Sequence, residues 1–250
     1  MRTFPHMAAA VARSSVTRPP EAAAAVMATG ALSTCFALTG PQWLSGALLV
    51  VTALMWLLLF FGFLAQMVFT PGSFASMASE PASLALAAGT AVLGTRMAML
   101  GRYGIAQGLL CVAVLLWLGL LPPVLRHWRT PTAGSAFLTS VSTQALAVLA
   151  AQLARRSGHS WEAVPAFAAF VCGLALYGVA ATRFDARHVA RGAGDQWVSG
   201  GALAISALAA ASLLNAPRAH QLLRSFGPGR ATTSDDGQRP FPWACWLWRA

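Results

Sequence analysis

The chain has 250 residues, 57% of them hydrophobic and only 10% charged, with a mean hydropathy of +0.61; soluble domains carry about a quarter charged residues, so a soluble fold is a poor fit. Its net charge is +10, and all 17 basic residues are Arg. These stand between apolar stretches and not in one basic domain with interleaved aromatics, which argues against nucleic acid as a partner and for topology signals around membrane spans.

A helical crossing needs about twenty apolar residues. In chain order the qualifying stretches are Ala22 to Gly40, Leu44 to Phe69, Ala82 to Leu100, Gly104 to Leu125, Ser135 to Ala154, Ala163 to Thr182 and Val198 to Asn215. Hydrocarbon offers no water to backbone amides, so each must satisfy its own as a helix; the alternating ten-residue pattern of a barrel is absent. The expected fold is an all-α integral membrane protein of about seven transmembrane helices arranged as helical hairpins, with the lipid bilayer as its first partner. Residues 1–18 read as a cytoplasmic lead, 19–216 as the transmembrane domain, and 217–250 as an atypical tail, disordered or interfacial. The alternative reading of the first stretch is a signal peptide behind Arg13 and Arg18. Its length, its central Thr29, Ser33 and Thr34, and the spans that follow favour a retained helix.

Between the spans, Arg2, Arg13, Arg18, Arg126, Arg129, Arg183, Arg187 and Arg191 fall on one side of the membrane, and Arg102, Arg155 and Arg156, with Arg96 near them, on the other. This modest bias places the N-terminus in the cytoplasm of a multi-pass protein of the cell membrane. Cys35, Cys111, Cys172 and Cys245 are widely spaced without a CxxC pair and read as small apolar fillers. His6, His127, His159, His188 and His220 all sit in connections, so neither a metal site nor a cofactor is expected. Without paired carboxylates, HExxH or GxSxG, no catalytic residue is assigned and no enzyme is expected.

The spans alternate in kind. The first, third, fifth and seventh carry small and hydroxyl residues at helical spacing: Ser135, Thr139, Ser142 and Thr143 with Gln144 beside them; Ser83, Ala87, Thr90 and Gly94; Thr29 and Ser33; Ser199, Ala202 and Ser206. By contrast the second reads LLVVTALMWLLLFFGFL from Leu48 and the fourth LLCVAVLLWLGLL from Leu109. Bulky apolar faces suit lipid, whereas small residues suit close helix packing or a cavity wall. For any single residue packing is the commoner role; the case for a pathway rests on the set, as an inner ring of odd spans inside an outer ring of even ones.

Pro20, Pro81 and Pro131 each stand just ahead of an odd span, where a missing N–H costs nothing, and Glu21 and Glu80 flank two of them at the positive end of a helix dipole. The repeating unit is thus a hairpin. Span interiors hold no Asp or Glu, which argues against a proton-coupled relay, and the absence of lysine excludes a retinal Schiff base. A pathway of hydroxyls, amides and Arg suits anions over cations. Arg96 is the one charge placed inside a span, facing either the pathway or, by snorkelling, the interface.

The strings PPEAAAAVMATGALS from Pro19, FLTSVSTQALAVLAAQLA from Phe137 and WVSGGALAISALAAA from Trp197 together resemble the tellurite-resistance/dicarboxylate transporter family, which includes the slow-type anion channels of plant guard cells. The resemblance covers about residues 19 to 216. It implies ten helices in five hairpins, odd helices lining a central path for small anions, and a homotrimer in which each protomer has its own pore. In that frame Thr29, Ser33, Thr90, Gly94, Ser142, Thr143, Ser199 and Ser206 are pore-lining candidates, with Arg96 and Gln144 beside them.

After Asn215 the chain departs from the family, since PRAHQLLRSFGPGRATTSDDGQRPFPWACWLWRA stands where three further helices are expected. The occluding phenylalanine that family members carry on the ninth helix has no counterpart. The run FPWACWLW is too short to cross, so the tail reads as a truncated or frameshifted end, or alternatively as an interfacial segment anchored by Trp243, Trp246 and Trp248. The expected function is transport of dicarboxylates or oxyanions; the alternative is a non-transporting truncated member or an accessory membrane subunit.

Overall fold

The structure is a computed structural model that describes residues 19–128, 134–157, 163–184 and 195–215, all within one unit of the chain, Met1–Ala219. The expected lead, the tail beyond residue 216 and Pro131 lie outside the described residues. The helices are α1 (Pro19–Thr39), α2 (Gln42–Phe69), α3 (Pro71–Ala78), α4 (Leu84–Met99), α5 (Tyr103–Arg126), α6 (Leu138–Ser157), α7 (Ala163–Arg183) and α8 (Asp195–Leu214). Single 3₁₀ turns, Pro81–Ser83 and Gly134–Phe137, lead into α4 and α6. Seven of these segments are long and apolar enough to cross a membrane, and they coincide with the seven expected spans to within a few residues. The short α3 was not expected; Pro71 in its first turn restarts the helix after Thr70. Pro122 and Pro123 lie inside α5 without ending it, as membrane helices tolerate where neighbours re-satisfy the backbone.

Small residues decide which helices go inside. α4 and α6 are the centre, with 78% and 83% of their spanning residues buried, against 6% for α2 and 22% for both α5 and α7. α1 packs on α4, α4 on α6 and α6 on α8, so the odd spans stand in a row. The outer helices α2, α5 and α7 each pack on the inner helix before and the inner helix after them. The first and seventh spans are the less buried members of that row, at 22% and 28%. α1 and α8 are the ends of the row, with the faces beyond them uncovered among the described residues.

Close approach at the centre depends on Gly94. A Cβ there would lie 2.6 Å from Leu149 Cδ2 on α6 and 3.3 Å from Leu109 Cβ on α5. The α4–α5 hairpin closes through Gly101 at φ +76°, a left-handed conformation that a residue with a Cβ adopts only at a cost. Its amide donates to the Ala98 carbonyl at 3.0 Å, and that of Arg102 to Met97 at 3.0 Å, capping the end of α4.

Candidate anion pathway

Hydroxyls on membrane helices must find acceptors, and most here turn back on their own helix. Thr29 donates to Ala25 O at 2.9 Å, Ser142 to Thr139 O at 3.0 Å and Ser206 to Ala202 O at 2.7 Å. Ser206 and Ser142 are buried, while Thr29 is half-buried with its Oγ1 3.0 Å from that of Thr52 on α2.

A second set of hydroxyls is held from outside. The Trp56 indole N–H on α2 donates to Thr90 Oγ1 on α4 at 2.8 Å, and the Trp117 indole N–H on α5 donates to Thr143 Oγ1 on α6 at 2.8 Å. Each threonine passes its own proton one turn back, Thr90 to Leu86 O and Thr143 to Thr139 O, both at 2.8 Å. Tyr177 on α7 and Ser199 on α8 also pair across helices, their oxygens 3.3 Å apart and either able to donate. Each outer helix is thereby stitched to the inner helix that follows it. Sequence reasoning placed both tryptophans among lipid-facing bulk; the signal that could have found them is their matched context, LMWLLL and LLWLGL. Trp117→Phe keeps the ring and removes the donor, and is expected to lower unfolding stability in detergent by about 0.6 kcal/mol, the average for such bonds between membrane helices. Thr143→Val should cost a similar amount, and the double variant should cost less than the two single losses added.

Gln144 is fully buried; its Nε2 donates to Phe170 O on α7 at 3.2 Å, and its Oε1 has no partner among the described residues. Gly173 makes room for it, since a Cβ there would lie 2.8 Å from the Gln144 Cδ. Ser140, which sequence reasoning missed, donates to Gly173 O at 2.9 Å. Among the candidates, Gly94 serves contact between α4, α5 and α6, and does so through its lack of a side chain.

Arg96, in the last turn of α4, is held inside the bundle and does not snorkel to the interface. It is 5% exposed, and its Nε–H donates to Ser33 Oγ at 3.3 Å while Nη2 donates to Ser45 Oγ at 2.8 Å. The two serines already clasp α1 to α2, because Ser33 Oγ donates to Ser45 O at 2.8 Å and Ser45 Oγ to Ser33 O at 2.7 Å. Each hydroxyl spends its proton on the opposite carbonyl and keeps lone pairs for the guanidinium. Ser45 was not expected; its pairing with Ser33 across the short Gly40–Pro41 connection is the local signal. Of the guanidinium's five N–H groups, three have no partner among the described residues. The one carboxylate whose side chain is described, Glu80, is exposed and precedes α4 at its other end, about 20 Å away at ~1.5 Å per residue. No cluster of metal-binding residues occurs among the described residues.

The arrangement therefore unites Thr90, Gly94, Arg96, Ser142, Thr143 and Gln144 on the two central helices, Ser33 with Arg96, and leaves Thr29, Ser199 and Ser206 on the two end helices. The chain matches no curated protein and no solved structure. The family described as voltage-dependent anion channel matches residues 18–238, past the limit near residue 216 that the resemblance suggested. Seven apolar helices with that match identify a multi-pass membrane protein of an anion-transporting kind, related as expected to the tellurite-resistance/dicarboxylate transporters: the chain belongs to the voltage-dependent anion channel family.

Proposed function

We propose that the chain passes small anions, dicarboxylates or oxyanions, along the faces of α1, α4, α6 and α8, by passage and without a catalytic step. The observation that carries this is Arg96, a buried cation with spare donors and no described carboxylate against it. A charge held out of water attracts a mobile counter-charge far more strongly than one in bulk solvent, and intramembrane ionisable groups commonly mark ion paths. The neighbouring hydroxyls of Ser33 and Ser45 fix the guanidinium without neutralising it. By family analogy three copies assemble, each with its own path, and the arginine bias supports a cytoplasmic N-terminus in the cell membrane.

A second reading, an accessory or non-transporting subunit, is favoured by one observation: α1 and α8 end the inner row with most of their surface uncovered. A path along such a row needs a further wall. Flux of nitrate and malate into proteoliposomes separates the readings. Saturable anion uptake by the chain alone supports transport; uptake only after fusion of three further family-like helices supports the accessory role. Absence of uptake in both overturns the proposal.

A further inference from the structure

We propose that Gln152 and Arg155, on the inner face of α6, form a docking site for small carboxylates and oxyanions at the end of the bundle opposite the N-terminus. The inference rests on the path reading above and adds where an anion first touches the protein. Helical spacing fixes the face. A Cβ at Gly94 of α4 would meet Leu149 of α6, and Ala147 and Val148 of α6 cluster with Ala209 of α8. At ~3.6 residues per turn, Gln152 stands one turn beyond both Val148 and Leu149, between the side that meets α4 and the side that meets α8. Arg155, two turns beyond Val148, lies over it. α4 and α8 do not pack substantially on each other, so this strip of α6 belongs to the inner side of the row, away from α5 and α7.

Exposure changes along the strip. Ala145 and Val148 are 2% and 4% exposed, whereas Gln152 is half-buried and Arg155 exposed. The strip is closed at mid-depth and opens only at its end, into a cavity lined by Gln152 and Arg155 of α6, Ala98 and Met99 of α4, and Tyr103 of α5. Neither the Gln152 nor the Arg155 side chain has a hydrogen bond or ion pair among the described residues. A guanidinium carries five N–H donors and no acceptor, and the amide adds two more donors. Residues three apart on a helix are neighbours, so one anion with two or more oxygens can take donors from both.

The charge at this end has no other use as a set. The segments that join α1 to α2, α4 to α5 and α6 to α7, with the helix ends beside them, hold Arg102, Arg155 and Arg156 against a single carboxylate, Glu162, and no residue lining the cavity is acidic. The positive-inside preference draws arginine to the opposite side of the membrane, so topology does not account for these. Arg155 complements the dipole at the end of α6 from any face of its last turn, and that role asks for no glutamine beside it. A recess lined by one sign of charge raises the local concentration of the other. Arg96 lies three residues before Met99 on α4, so a docked anion stands at the same end of the bundle as the guanidinium held by Ser33 and Ser45.

The test uses the purified full-length Met99→Cys chain in nanodiscs at low ionic strength. Modification of the introduced thiol is followed by mass spectrometry of its peptide, with each rate divided by that of a free thiol in solution. An anionic methanethiosulfonate is expected to react roughly tenfold faster than a cationic one, and malate should slow the reaction. Arg155→Gln, at an exposed site, should bring the two reagents level and remove the protection by malate, while Arg155→Lys should keep part of both. Tyr103→Cys, on another wall of the cavity, repeats the measurement if Met99→Cys does not fold. Equal rates in the parent, no protection by malate, or protection that survives Arg155→Gln would overturn the docking site whatever the flux. Protection without anion uptake in proteoliposomes would overturn the path reading and leave the docking site standing.

Discussion

Arg96→Gln is expected to reduce anion flux into proteoliposomes roughly ten- to a hundredfold while the protein remains monodisperse in detergent. Hydrogen bonds from a charged group are each worth about 1.5–3 kcal/mol, and ~1.4 kcal/mol is tenfold; an anion that gains one such contact at Arg96 loses it with the charge. The fold does not depend on that charge, because Ser33 and Ser45 bind each other's carbonyls without it. Arg96→Lys retains a cation but not the planar fork, and should fall between the two. Wild-type flux in Arg96→Gln would mean that the guanidinium only clamps α4 to the α1–α2 hairpin.

Gly94→Leu should prevent assembly of the bundle. Even a Cβ at this position meets Leu149, which is fully buried, and Leu109, 8% exposed, so the α4–α6 and α4–α5 contacts must both open to admit a larger group. Overpacking in a filled core costs about 1–3 kcal/mol and occasionally more, and the site where three helices converge belongs at the upper end. Loss of the monodisperse peak on size exclusion is the readout. Gly62→Leu on α2 is the matched control, since nothing lies within 4 Å of a Cβ there; it should elute as wild type. Normal elution of Gly94→Leu would show that the central helices are not in the close contact described.

Residue classes carried most of the architecture. The alternation of small and bulky spans pointed to α4 and α6 as inner helices and to α2, α5 and α7 as outer ones, because bulk cannot be buried where backbones meet closely. The same rule does not rank α1 and α8 below α4: their Ser, Thr and Ala are as small as those of α4, but an end helix has a neighbour on one side only, and a single span does not encode how many neighbours it will have. Arg96 was singled out as the charge within a span, yet its partners were not legible. Ser33 and Ser45 are generic residues until the tight α1–α2 turn brings them face to face. The tryptophan stitches escaped for a related reason, since an indole is apolar in bulk and polar at one atom, and only the neighbour's register decides which property is used.

The forward direction of those stitches bears on how the bundle is built. Trp56 waits for Thr90, Trp117 for Thr143, and Tyr177 for Ser199, so in every case the aromatic side chain emerges from the ribosome before the hydroxyl it will pair with. During synthesis, which proceeds from the N-terminus, each hairpin therefore enters the membrane with one unfulfilled aromatic group, and the next span to arrive supplies the missing partner. The chain closes like a zip fastener whose teeth engage in order of translation, and the most recently inserted hairpin is always the least secured.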